Sequence, residues 1–74
     1  MTTPEALAIA REIGQDIAAK GRHPASVAWW ARSYSWWRDV VDTIGTAAAT
    51  EAATSAAYAE AGRERPESIE EIRP

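Results

Sequence analysis

Between Val27 and Ile44 the hydrophobic and polar positions separate onto two halves of a helical circle. At about 100° per residue, Val27, Trp29, Trp30, Tyr34, Trp36, Trp37, Val40, Val41 and Ile44 fill one half, interrupted only by Ser33. Arg32, Ser35, Arg38, Asp39, Asp42 and Thr43, with Ala28 and Ala31, fill the other. The pattern predicts a helix over 25–44 in which Trp29 lies two turns from Trp36 and Trp30 two turns from Trp37. An apolar arc near ~180° is wider than the ~100° stripe of an ordinary surface helix, so a single neighbour cannot cover it.

Upstream, Ala6, Leu7, Ile9, Ala10, Ile13, Gly14 and Ile17 share an arc of about 160°, with Glu5, Arg11, Glu12, Gln15 and Asp16 opposite. Thr3-Pro4-Glu5 reads as the N-cap, first residue and acidic first turn of this helix, and Gly21 as its C-terminal stop. A helix over 4–20 follows. Gly14 costs it about 1 kcal/mol. Ala10, Gly14 and Ala18 form a strip of small residues at spacing four, against which a flat indole would lie close to the backbone. In the connection Arg22–Ser26, Pro24 disfavours the helical region for His23, which reads as a solvated turn residue.

Gly45-Thr46 offers a stop followed by a new N-cap. An unbroken helix would carry Glu51 into the middle of the tryptophan face, which favours a break. The segment AAATEAATSAAYAEA then predicts a helix over 46–61 with one large apolar residue, Tyr58. It reads as a thin outer helix or as a helical spacer without a fixed partner. Gly62 ends it. Residues 63–74 read as an acidic tail, either disordered or forming a short helix from the capping-box spacing of Ser68 and Glu71, with Ile69 and Ile72 docking.

The expected protein is therefore all-α: a small antiparallel helical hairpin or three-helix bundle with a short C-terminal helical turn. Residues 1–62 form its single helical domain. Ile9, Ile13, Ile17, Trp30, Trp37, Val41 and Ile44 are assigned to the core. The first helix carries too few large aliphatics to cover the whole tryptophan face. Trp29 and Trp36, with Arg32 on the same edge, are accordingly assigned to binding a partner.

Composition narrows the chemistry. All four Trp and one of the two Tyr lie within Trp29–Arg38, and the chain contains no Phe. The net charge is −3, with residues 21–45 at +1 and residues 46–74 at −3. Trp interleaved with Arg32 and Arg38 resembles the aromatic-plus-basic recipe for stacking single-stranded bases, but an acidic chain lacks the usual basic footprint, so nucleic acid is not the expected partner. A membrane-surface helix would place Lys and Arg along a polar face that here holds two Arg and two Asp.

With no Cys and one His, neither a disulfide nor a metal site is expected, and no cofactor is implied. Met-Thr-Thr-Pro-Glu lacks the basic start and apolar run of a signal peptide. No window approaches the ~18–20 apolar residues of a membrane span. A cytoplasmic protein is expected. His23 and Ser26 are neighbours without a third orienting group, and no phosphate loop, HExxH or GxSxG is present. The expectation is thus a non-enzymatic protein that binds another protein through its Trp-rich face. It would be an accessory or assembly subunit, or a small inhibitor of the phage type. The alternatives are a homodimer pairing two Trp faces and, behind it, a single-stranded nucleic-acid binder.

Overall fold

The computed structural model describes residues 1–73 and is helical throughout its regular elements, with no strand among the described residues. Pro74, the end of the expected tail, lies outside them. Helix α1 spans Thr3–Ala19. Its N-cap is Thr2 and not Thr3: the Thr2 hydroxyl accepts from Glu5 N–H at 3.3 Å, and the Glu5 carboxylate accepts from Thr2 N–H at 3.0 Å. This reciprocal box satisfies two of the first-turn donors that have no partner within the helix. At the other end Gly21, at φ +81°, turns the chain so that Arg22 N–H reaches the Ile17 carbonyl at 3.3 Å.

The single helix expected over 25–44 is not formed. A 3₁₀ turn at Pro24–Ser26 leads into the one-turn helix α2, Val27–Trp30, and a second 3₁₀ turn covers Ala31–Ser33. Tyr34 is then extended (φ −86°, ψ 130°), and helix α3 starts again at Trp37 and ends at Ile44. The interruption falls in Ser33-Tyr34-Ser35-Trp36, four residues of only middling helix propensity in a row. Ser33 Oγ donates to the Trp30 carbonyl at 2.7 Å, the local side-chain competition that makes serine a poor interior residue. Hydrophobic spacing suited a helix across the whole stretch; the Ser33 side-chain bond and the tertiary reach of Tyr34 divide it. Gly45 (φ +84°) separates α3 from helix α4, Thr46–Glu60.

The core forms where α1 meets α4, the most extensive contact in the molecule. Ala6 and Ala10 of α1 and Ala49, Ala53 and Ala57 of α4 are completely buried. Gly14 sits directly on the α4 backbone: a Cβ placed on it would lie 1.9 Å from the Ala53 carbonyl oxygen. The small strip on α1 therefore receives a helix backbone and not an indole. The Ala-rich helix is correspondingly central, not a thin outer layer or a spacer. Its alanines bury little area each, but they allow the backbones to approach until dispersion contacts are dense.

Larger side chains close the seam. Ile13 and Ile17 of α1, Val27 of α2, Trp37 and Val40 of α3 and Tyr58 of α4 are buried. Ile9, Trp30, Val41 and Ile44, assigned to the core on periodicity, are half-buried and pack against its margin. Trp30, Val41 and Ile44 shifted because breaking the helix turned α2 and α3 separately; Ile9 lies at the edge of the α1 face. His23 is also half-buried and structural. Its Nδ1 accepts from Ala25 N–H at 3.0 Å, capping the first 3₁₀ turn, and its ring meets Tyr58 edge-on at 6.5 Å.

Residues 63–73 form no helix. They run back over α4 as an irregular strap, held by Arg65, whose Nη1 and Nη2 donate to the two carboxylate oxygens of Glu51 at 2.5 Å each. Ile72 N–H donates to the Ala25 carbonyl at 3.1 Å. Ile69 is half-buried while Ile72 remains exposed, so only one of the two isoleucines docks. Among the described residues, no helix is long and apolar enough to cross a membrane.

Gly14→Ala is the sharpest test of this packing. The substitution improves helix propensity by about 1 kcal/mol. Here it must instead lower stability by about 2 kcal/mol or more, since a methyl group cannot coexist with the Ala53 carbonyl unless the two helices separate. Chemical denaturation followed by circular dichroism decides it, and a stabilised variant would show that the helices are not in backbone contact.

Candidate functional site

The aromatic residues left outside the core collect around α2 and the turn that follows it. Each pair of adjacent tryptophans is split between environments. Trp37 is buried, whereas Trp36 retains 60% of its exposure. Trp30 is half-buried against the core, whereas Trp29 retains 37%. The extended backbone at Tyr34 sets the second split: with α3 starting at Trp37, Trp36 becomes its N-cap and its indole falls outside the helix–helix seam.

Of the three residues assigned to partner binding, Trp29 and Arg32 are brought together. The Arg32 guanidinium carbon lies 5.1 Å from the centre of the Trp29 ring, within cation–π range. Trp36 is exposed but stands beyond the break. It is not stacked two helical turns from Trp29, because no continuous helix joins them.

Sequence periodicity placed Tyr34 on the tryptophan face without assigning it a role, and did not implicate Lys20, Arg22 or Asp16. The Arg22 guanidinium lies over the Trp30 ring at 4.0 Å, and Lys20 Nζ is 5.5 Å from the centre of the Tyr34 ring. A shallow hollow of about 300 Å³ is lined by Trp29, Trp30, Arg32 and Ser33. A neighbouring one of about 210 Å³ is lined by Lys20, Arg22, Trp30, Ser33 and Tyr34. They share Trp30 and Ser33 and so form one continuous cationic and aromatic surface. A signal for it was present in the charge order, since no Asp or Glu occurs between Ile17 and Arg38.

Asp16 anchors this surface from α1. It pairs with Lys20 at 2.8 Å and accepts a hydrogen bond from the Tyr34 hydroxyl. Both bonds favour its charged form, first that from Lys20 and then that from Tyr34, and hold the carboxyl below the usual aspartate range. Burial, reinforced by the bond to Asp16, pushes the Tyr34 phenol up. The contact ties the extended Tyr34 to α1 and thereby holds the break between α2 and α3. Arg22, Arg32 and Arg38 form no ion pair among the described residues.

Ser26 and His23 are not arranged as nucleophile and base. Ser26 Oγ donates to the His23 backbone carbonyl at 2.6 Å, and the His23 Nδ1 is engaged by Ala25 N–H. A third concavity of about 410 Å³ lies between the first 3₁₀ turn, α4 and the tail, with Ala25, Thr50, Thr54, Arg65 and Ile69 among its walls. Its charged groups include the Arg65–Glu51 clamp, in which the guanidinium keeps Glu51 below the usual glutamate range. Among the described residues, no three His, Asp or Glu side chains gather as a metal-binding group.

The Asp16 contact has a defined pH dependence. Its folded-state pKa is depressed, so its stabilisation is present above the unfolded aspartate value near pH ~4 and is lost as pH falls through the lower folded value. Asp16→Asn should lower the melting temperature at neutral pH and reduce the difference between neutral pH and pH ~3. Thermal melts of both proteins across that range measure it; parallel curves for the two would show that Asp16 does not hold the turn. Comparison with protein-family models, with curated proteins and with solved structures gave no match for this chain.

Proposed function

We propose that the chain is a non-catalytic protein-binding module that engages a protein partner through Trp29, Arg32 and Trp36. We read its helices as a small three-helix bundle of α1, α3 and α4, with α2 laid across it and residues 63–74 as an appended acidic tail. The accessory-subunit and small-inhibitor roles both fit such a module, and the cytoplasm is its proposed setting.

The observation that carries the reading is the exposure of Trp36, with 60% of its surface open to solvent in a chain whose core is built largely from alanine. A Trp side chain offers roughly 150–250 Å². Covering the exposed part of this one would contribute about 2–4 kcal/mol at ~25 cal/mol per Å². Trp29 beside Arg32 adds a second anchor of the residue types enriched at binding hot spots. Neither indole belongs to the buried core, which leaves both for contact with a partner.

The test is affinity capture from an extract of the source organism with wild type and the double variant Trp29→Ala, Trp36→Ala. The variant should keep its helical circular dichroism and lose the captured partner, a loss of at least about 2 kcal/mol in binding. A partner held equally by both proteins would refute the site. Sedimentation at low and high concentration runs alongside. A dimer that the double variant abolishes would replace the heterologous partner with a second copy of the chain.

A further inference from the structure

Building on the proposed protein-binding surface, we infer that its partner contributes an acidic segment, whose carboxylates pair with Arg22 and Arg32 and whose apolar side chains cover the adjacent indoles. The argument begins with charge order. The run Ile17–Arg38 contains Lys20, Arg22, Arg32 and Arg38, while all eleven Asp and Glu of this net-acidic chain lie outside it. Folding sets Asp16 beside this run, where it is bound by Lys20 and Tyr34 and not by Arg22 or Arg32. Arg22 and Arg32 remain without an ion pair among the described residues.

Their geometry determines what they can accept. Each guanidinium lies over an indole, Arg22 on Trp30 at 4.0 Å and Arg32 on Trp29 at 5.1 Å. Neither guanidinium forms an ion pair among the described residues, and the N–H fork of each matches the two oxygens of a carboxylate. The same protein shows this pairing where a carboxylate is in reach, in the two-pronged Arg65–Glu51 contact. Stacking also limits the alternative ligand. Single-stranded nucleic acid binds through open aromatic faces, and here Arg22 and Arg32 each lie over one of the two indoles beside them. Trp36 is left as the one highly exposed indole, with few cations to follow a phosphate backbone. Acidic peptide is the chemistry that fits both the guanidinium forks and the hollow between Trp29 and Ser33.

The experiment uses the full chain and short fluorescein-labelled peptides of equal leucine and isoleucine content, spaced by Glu, Gln or Lys, with anisotropy read at low and physiological salt. A thymidine oligonucleotide and phosphatidylserine vesicles are run in parallel. Glu peptides should bind best, and their affinity should fall with salt. The double variant Arg22→Gln, Arg32→Gln should weaken them about tenfold, while Arg22→Glu, Arg32→Glu should move the preference to Lys peptides. Circular dichroism establishes that each variant is folded. If Gln peptides bind as tightly as Glu peptides and Trp36→Ala abolishes both, the acidic partner is refuted while the Trp-centred surface stands. Absence of binding by every peptide overturns the inference, as does tighter binding of the oligonucleotide or the vesicles than of any peptide.

Discussion

Everything else in this molecule depends on how closely α1 and α4 approach at Gly14 and Ala53. A backbone carbonyl seated where a side chain would begin excludes anything larger than hydrogen at position 14 and favours alanine along both helices for a turn on either side. Those alanines bury little area each. The seam is stable only because its backbones are in contact along its length and because isoleucine, valine and tryptophan fill the wedges beside it. In a chain of 74 residues, which buries only about 60% of its unfolded surface, such economy leaves little redundancy.

A core this narrow cannot accommodate four indoles. The break between α2 and α3 resolves the conflict by rotating adjacent residues into different environments. Trp37 closes the seam and Trp36 does not; Trp30 leans on the margin and Trp29 faces out. The break is held from a distance, by the Tyr34 hydroxyl on Asp16 of α1. One polar contact thus links the helix that forms the seam to the surface that the seam excludes, and the proposed binding site inherits its shape from the packing of the opposite side.

Electrostatics divides the chain in a parallel way. The tail's Arg65 is satisfied by Glu51, which fastens the strap to α4. Arg22 and Arg32 instead rest on aromatic rings and form no ion pair among the described residues. Exposed ion pairs contribute little to stability. The difference therefore matters less for folding than for what each face can still bind.

The sequence by itself determined the helical character, the first and last helices to within a residue at each end, the glycine stops, and the clustering of the tryptophans, but not which of them would be exposed. These follow from local quantities: hydrophobic period, capping chemistry, propensity and the φ of glycine. Tertiary structure alone decided that Gly14 meets a backbone, that the Ala-rich helix is central, that His23 caps a turn, and that the tryptophan stretch is broken at Tyr34. It also brought Lys20, Arg22 and Asp16 to the site. The reason is the same in each case. Periodicity records which residues can share a face, but alanine carries no mark of burial, and a helical wheel assumes a continuity that Ser33, Tyr34 and a carboxylate eighteen residues away were able to interrupt.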